Sequence, residues 1–363
     1  MLLHVWAYNF EDDIFEQVTM IDNATSVIWV TRYNQAGEFE IYMPATKELI
    51  DIFSRDGIVI ARDDTARAMY VEKLKLTTSA EDGDYITVSG RSIECILERR
   101  IVPSQTIVQY PSFVTGLYYL VYNNMIEPSN QMRKIPFVFF EGNMPFWQES
   151  IDMQITGKDL LTCYQDICAS YKTGFKMSFV TISGAKAMRI SFYRGVDRTL
   201  GQSVNNRVIF SPEMENLGNT EYEVDRTQFC NWVYVAGEGE GNQRKIRQVA
   251  ALTELGLGAV EKWLDARNTS SNDGEISDTD YKKMLTAEGQ AEIEISSKIA
   301  AFSGEVLNYN SYTYGVDYNL GDIVSVINEY GIKGSATITE ITEVEDETGY
   351  KLVPTLSEWA VTA

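Results

Sequence analysis

The chain has 363 residues, 44% of them hydrophobic and 12% aromatic, so it can form well-packed cores and is too long for one ordinary domain. Its 52 acidic residues outnumber 31 basic ones, and the formal net charge of -21 argues against a surface that binds nucleic acid through phosphates. No apolar run approaches the roughly 20 residues of a membrane-spanning helix, so membrane insertion is not expected.

Residues 1–103 predict a first β-rich domain. The clearest pattern is a hairpin of strands 27–30 and 38–43, because the second strand alternates apolar and polar side chains. At residues 93–100 the apolar spacing changes to that of a helix. The remaining predicted elements are a short helix over about 46–54 and strands at 57–62, 68–76 and 84–89.

Residues 104–210 predict a small α/β insert. Helical patterns cover 111–126 and 157–171, and Thr156 with Asp159 resembles a capping box at the start of the second helix. Two further segments, 175–180 and 188–193, are predicted to form a hairpin.

Residues 211–363 predict a second β-rich domain with a connecting helix near 278–300, which Ser277 and Asp280 would cap. Tight turns between its strands favour antiparallel pairing, because parallel strands need long crossover connections. The predicted strands are 220–224, 231–236, 302–307, 320–327, 335–344 and 350–356. The predicted fold class is therefore α+β and mainly β, with two antiparallel β-barrel or sandwich domains flanking a small α/β insert.

The residues of common catalytic and cofactor sites are scarce in this chain. His4 is the single histidine, which leaves little material for Ser-His or Cys-His catalysis. Cys163 and Cys168 fall within a predicted helix, where core packing explains them, and few cysteines in a long chain indicate free thiols in a reducing compartment. We therefore predict no enzyme activity, no cofactor and no metal site.

Two sets of residues form recognisable motifs in the two β-rich regions. The first set is Trp29, Arg32, Tyr33, Gly37, Phe39, Pro44, Gly90, Arg91, Arg99 and Arg100. The second set is Leu320, Gly321, Asp322 and Val324, in which a turn precedes a strand that is apolar on both faces and suits a sheet covered by a neighbouring subunit or domain. Together the motifs resemble the tail hub (baseplate hub) family of long-tailed bacteriophages, whose relatives occur in contractile bacteriocins and injection systems.

The resemblance implies a structural role in a phage-type tail. Family members form a homotrimer in which each chain supplies two tube-like β-domains, giving a pseudo-sixfold ring. Such a ring joins the tail tube or distal tail protein above to a spike, fibre or tip protein below, with the tape-measure protein in its channel. DNA would pass without specific binding, acidic side chains would face the channel, and the particle would assemble in the bacterial cytoplasm before release as a virion or extracellular particle.

Two other functions remain open at this stage. One is a host-carbohydrate recognition module of the same particle, although Trp29, Trp232 and Trp263 lie in strand-like runs where core packing is the expected role. The other is a cell-wall hydrolase that uses carboxylates of the insert at 104–210, which lies outside the resemblance to the hub family over about 1–100 and 220–363.

Overall fold

The computed structural model contains side chains and describes most of the chain. The described residues are 1–62, 66–81, 83–142, 144–145, 147–251, 256–267, 269, 271, 276–296, 300–307, 312–357 and 360–361. By internal contacts the chain divides into two compact units: the first comprises Met1–Gly218 and Glu305–Ser357, and the second contains Asn219–Gly304. Within the described ranges, no helix has the length and apolar character to cross a membrane.

The N-terminal part is a series of strands with one short helix. Its elements are β1 (Leu3–Asn9), β2 (Ile14–Ile21), β3 (Ser26–Arg32), β4 (Glu38–Pro44), α1 (Lys47–Phe53), β5 (Ile58–Arg62), β6 (Ala68–Ser79), β7 (Gly83–Ser92) and a 3-10 helix (Ile93–Arg99). Buried and exposed residues alternate along β4, as its sequence pattern predicts. Thr46 caps α1 by accepting a hydrogen bond from Leu49 N at 3.2 Å.

The insert combines helices with a long hairpin. Its elements are β8 (Thr106–Tyr110), α2 (Phe113–Val121) followed by a π-helix (Tyr122–Ile126), a 3-10 helix (Gln131–Arg133), β9 (Val138–Phe140), β10 (Ile151–Ile155), α3 (Leu160–Ser170), β11 (Gly174–Ile182), β12 (Ala185–Tyr193) and β13 (Ile209–Phe210). The predicted capping box is wrong in position, because Asp159 is itself the N-cap and accepts from Thr162 N at 2.8 Å. Gly157, with φ of +72°, turns the chain between Thr156 and this cap.

The C-terminal part returns to strands around one long helix. Its elements are β14 (Leu217–Val224), β15 (Trp232–Ala236), β16 (Ile246–Ala250), β17 (Glu261–Asp265), α4 (Asp278–Ser296), β18 (Ala300–Val306), β19 (Ile323–Ile327), β20 (Lys333–Asp346), β21 (Gly349–Leu356) and β22 (Ala360–Val361), with 3-10 helices at Pro212–Met214, Gly241–Gln243 and Gly256–Gly258.

One large sheet organises the first unit, in the order β13-β19-β20-β3-β4-β7-β6-β5-β1-β2, with β21 also paired to β20. The central pairing joins residues far apart in sequence, since Glu340–Glu345 of β20 run antiparallel to Val27–Arg32 of β3. Strands from the N-terminal and C-terminal β-rich regions therefore share one sheet. The domain boundaries at 103 and 210 stay a prediction.

Two apolar cores lie against this sheet. One is enclosed by β1 and β3–β7 and contains Trp29, Phe39 and Ile41. The other joins the insert to the opposite face of the strands, and Tyr164 of α3 is fully buried in it. Each fully buried side chain of this kind contributes about 1.5–3 kcal/mol.

The second unit contains a small sheet with α4 packed against it. β15 lies between antiparallel β16 and parallel β17. Gly289 lets α4 approach closely, because an added Cβ would lie 2.6 Å from a methyl of Val249. Ser277 caps α4 as predicted, accepting from Asp280 N at 3.1 Å. The expected core position of Trp263 is wrong: its side chain is 54% exposed on β17, an outer strand of this sheet.

The predicted fold class, α+β and mainly β, is confirmed. One face of β19, in the second motif, is only partly covered within the single chain. Within a single chain, Val324 and Val326 of β19 are fully buried, whereas Ile323 on the other face is 37% exposed. Cover of that face by a neighbouring subunit stays a prediction.

Candidate functional site

The first motif forms a tightly packed corner of the large sheet. Trp29 on β3 is fully buried and packs beside Phe39 on β4, with ring centroids 6.3 Å apart. Gly37 and Gly90 are required there because a Cβ would lie 2.0 Å from Val30 O and 2.1 Å from Tyr70 O, respectively. The two glycines therefore let neighbouring strands approach at this corner.

Arg32 ties the first motif to the C-terminal β-region. Its Nε donates to Glu340 Oε2 on β20 at 2.7 Å, and Nη2 donates to Glu38 Oε1 on β4 at 2.8 Å. A third bond runs from Nη1 to Ala36 O at 3.1 Å. The planar guanidinium thus holds three segments in register at the end of β3.

Tyr33 brings the two motifs together. Its buried ring lies against two glycines, Gly321 and Gly174 of the insert. A Cβ added at Gly321 would lie 2.2 Å from the ring, and a Cβ added at Gly174 would lie 2.5 Å from it. The Tyr33 hydroxyl donates to Lys172 O at 2.9 Å. Gly321 has φ of +88°, a conformation that glycine adopts without strain. Tyr33 therefore connects the first motif, to which it belongs, with the insert and the second motif.

Asp322 anchors the turn of the second motif. Its side chain is 3% exposed, and its carboxylate accepts hydrogen bonds from Val196 N at 2.8 Å, Asn319 N at 2.9 Å and Arg198 Nε at 2.6 Å. Both Leu320 and Val324, which flank this turn, are buried. The insert's exit segment at 195–198 is therefore fixed onto the second motif. We call the region of Tyr33, Gly195, Arg198, Gly321 and Asp322 the junction.

The remaining four residues of the first motif make contacts of their own, apart from those of Arg32 and Tyr33. Arg91 forms an ion pair with Glu72 at 2.7 Å and another with Glu98 at 2.6 Å. Arg99 donates to Tyr70 OH at 2.7 Å, and Arg100 donates to the carbonyl of Arg133 at 2.5 Å. Pro44 is exposed at the end of β4. Their contacts hold local structure, so a common site for the whole motif is not formed.

A cavity of about 460 Å3 opens beside the junction, between the large sheet and the β11–β12 hairpin of the insert. Its described lining is rich in cations and also includes two acids. These charged side chains are Arg32, Arg67, Lys176, Arg194 and Arg198, with Glu94 and Asp322.

Glu94 is the most unusual of these groups, and sequence reasoning missed it. It sits in the 3-10 helix with 8% exposure, and its Oε1 accepts from Met177 N at 2.7 Å. Its Oε2 is buried and has no hydrogen-bond partner among the described residues. Burial raises the pKa of this carboxyl above its ordinary value of 4.5. An acid inside the apolar run Ile93–Leu97 was the available signal.

Glu94→Gln should remove a pH-dependent loss of stability. Because the folded-state pKa is raised, the native state binds this proton more tightly than the unfolded state does. The stabilisation that the protonated Glu94 carboxyl gives to the native state is complete below the unfolded pKa near 4.5 and is lost as pH rises through the folded pKa. Over that range the free energy of unfolding falls by at most about 1.4 kcal/mol per pH unit. Urea unfolding from acid to neutral pH should show that the free energy of unfolding of the variant increases relative to that of wild type as pH rises.

The matched control is Glu16→Gln, at an exposed position on β2. Its stability curve should run parallel to that of wild type over the same pH range. Parallel curves for Glu94→Gln as well would contradict the raised pKa of Glu94.

Comparison with known families identifies one match over almost the whole chain. The model of a family described as Siphovirus ReqiPepy6 Gp37-like protein matches residues 3–356. A comparison of the sequence with curated proteins finds no match.

Three solved structures of tail proteins have a similar fold. The 43 kDa tail protein of prophage MuSo2 from Shewanella oneidensis is 12% identical, with a TM-score of 0.55 and 98% of each chain covered. Prophage tail protein gp18 from Listeria monocytogenes EGD-e is 11% identical, with a TM-score of 0.53 over 98% of this chain and 94% of that one. The tail protein from Neisseria meningitidis MC58 is 13% identical, with a TM-score of 0.52 over 98% and 96%. The similarity to phage tail proteins predicted from the two motifs is confirmed at the level of family and fold.

Proposed function

Because this chain belongs to the Siphovirus ReqiPepy6 Gp37-like protein family, we propose that it is a structural protein of a phage-type tail and a component of the virion. The observation that carries the proposal is the extent of the match: the family covers residues 3–356, and three tail proteins share the fold over at least 94% of their length. Because the match spans both β-rich regions and the insert, the proposal applies to the chain as a whole and not to one domain.

Within the tail, the proposed role is that of the hub. Three copies would form a pseudo-sixfold ring that continues the channel between the tail tube or distal tail protein and the spike, fibre or tip protein. The net charge of -21 supports a channel wall along which the tape-measure protein and DNA pass, because an acidic wall repels phosphate. The proposed role is mechanical and needs no catalysis or cofactor.

Uncovered apolar side chains on the large sheet support association into a ring. β2 is the last strand in the sheet order, and its Met20 is 56% exposed. Ile323 on β19 is also uncovered in the single chain. An outer strand with exposed apolar side chains offers backbone and surface to a second chain.

The native mass of the purified protein tests the ring directly. We expect a particle of three times the 41.1 kDa chain mass, with threefold symmetry by electron microscopy. Met20→Asp should shift the mass towards the monomer, because a charge would be buried in the proposed contact.

Met132→Asp is the matched control, since Met132 is 91% exposed on the 3-10 helix of the insert. It should leave the trimer intact. A wild-type protein that stays a monomer at the concentrations used for imaging would refute the ring, while the family assignment would stand.

A structural role for the insert also fits its carboxylates. Asp159 caps α3, Asp166 pairs with Lys158 at 2.9 Å, and Glu149 pairs with Arg194 at 2.9 Å. These carboxylates hold helix ends and loops, which favours scaffolding over hydrolysis.

A further inference from the structure

A second cleft, of about 350 Å3, opens on the insert between β8, α2 and the π-helix that follows α2. Its volume lies at the lower end of the range of about 300–1,000 Å3 that is usual for ligand pockets. Three buried apolar residues of its lining, Val108, Gly116 and Leu120, join α2 to β8. A Cβ on Gly116 would lie 2.8 Å from Val108 Cγ1, so the close packing of the insert itself shapes the cleft.

The lining of this cleft is almost uncharged, although the chain carries -21. Arg133 is the one charged side chain among the described lining residues. The protein already holds it, because its Nη2 donates to Ile101 O at 2.6 Å and to Asn124 Oδ1 at 3.3 Å. A cation would find no carboxylate in this lining, and a phosphate chain would find only one arginine. The charges therefore favour a neutral ligand.

The polar groups of the lining can both donate and accept hydrogen bonds. An amide offers an NH2 and a carbonyl oxygen, and a hydroxyl offers one hydrogen and two lone pairs. Within the described part of the chain, the exposed amide of Asn123 makes no hydrogen bond, and neither do four hydroxyl groups of the lining. These hydroxyls belong to Ser104, Tyr110, Tyr119 and Ser129. They match a ligand whose own groups both donate and accept, as each hydroxyl of a sugar does.

Asn123 reaches this cleft from an unusual helical turn. The hydrogen bond from Glu127 N to Tyr122 O, at 2.8 Å, spans five residues instead of the usual four. Single π-helical turns of this kind are rare and occur frequently at functional sites.

Two tyrosines add an aromatic surface to the lining. The rings of Tyr110 and Tyr119 are stacked, with centroids 5.1 Å apart and an interplanar angle of 13°, and Tyr119 is 40% exposed. The face of an aromatic ring carries partial negative charge, which attracts the polarised C–H groups of a sugar ring.

We propose that this cleft binds a neutral saccharide, whose hydroxyls exchange hydrogen bonds with Asn123 and whose C–H face packs on Tyr119. A saccharide supplies a flat C–H face and a rim of hydroxyls on one small molecule, whereas a neutral peptide supplies its backbone groups along an extended segment. The site goes beyond the hub role and does not depend on it, since neither Met20 nor Ile323 lines the cleft.

The test is saturation-transfer NMR on the full-length protein, with the methyl glycosides of glucose, galactose, mannose, rhamnose and N-acetylglucosamine as probes. We expect transfer to the ring protons of at least one probe, with an affinity that salt does not change. Asn123→Ala and Tyr119→Ala should each lower that affinity about tenfold, because a hydrogen bond or a ring contact is lost. The matched controls are Asn206→Ala and Tyr330→Ala, at exposed positions outside the cleft, and they should bind as wild type does.

Asn123→Ala truncates an exposed side chain, so it decides the result even where Tyr119→Ala disturbs the fold. The absence of any transfer above that seen with Asn123→Ala would overturn the proposal. Binding that Asn123→Ala leaves unchanged would also overturn it. So would equal affinity for the neutral peptide acetyl-Gly-Ser-Ala-Asn-Gly-amide, since the cleft would then not recognise a sugar ring.

Discussion

Asp322→Ala is expected to lower the free energy of unfolding by about 3–5 kcal/mol, the usual cost of removing one partner from a buried ion pair. The Asp322 and Arg198 side chains are only 3% and 14% exposed, so water replaces little of the lost interaction. Two backbone N–H groups, of Val196 and Asn319, also lose their acceptor. Chemical denaturation at one fixed protein concentration measures the effect, because association would otherwise change the apparent stability.

The matched control is Asp152→Ala on β10, where the exposed carboxylate accepts from Gln109 Nε2 at 2.9 Å. Exposed polar contacts of this kind typically contribute within about 0.5 kcal/mol. The double variant Asp322→Leu with Arg198→Met should recover part of the loss, since both charges are then gone. If Asp322→Ala and Asp152→Ala had equal costs, Asp322 would not be what fixes the junction.

Individual strands and helices were largely predictable, because the short-range spacing of apolar side chains indicates them. The alternation of Phe39, Ile41 and Met43 predicted β4, and the turn before it placed β3. The spacing of Leu160, Tyr164 and Ile167 similarly predicted α3, whose buried face includes all three. Each of these patterns extends over fewer than about 20 residues, where backbone geometry alone decides which side chains share a face.

Long-range pairing was not predictable, since periodicity does not say which strands become neighbours. Nothing local to Arg32 indicates that Glu340 will be its partner, and nothing near Tyr33 indicates that Gly321 will lie under its ring. The cavity likewise depends on long-range packing, because Glu94 and Lys176 line one cavity only when the insert's hairpin packs on the sheet. The motifs therefore identified residues of the junction without indicating that they meet.

The exit of the insert shows how closely two backbones approach at the junction. A Cβ on Gly195 would lie 1.9 Å from both the carbonyl carbon and the oxygen of Gly321, and 2.3 Å from Asp322 N. These are backbone atoms, which no side-chain rotation can move away. Ile323 N also donates to Val196 O at 3.0 Å, so separating the segments would break the adjoining hydrogen bonds.

Gly195→Ala is therefore expected to lower the free energy of unfolding by at least about 3 kcal/mol, at the upper end for an overpacked site. Loss of cooperative unfolding in chemical denaturation would be the extreme form of the same result. Gly201→Ala is the matched control, because its Cβ would lie 3.6 Å from Thr199 Oγ1, an ordinary contact. It should change stability by no more than about 0.5 kcal/mol. Equal stability of the two variants would mean that the insert's exit does not pack on the second motif as closely as these distances require.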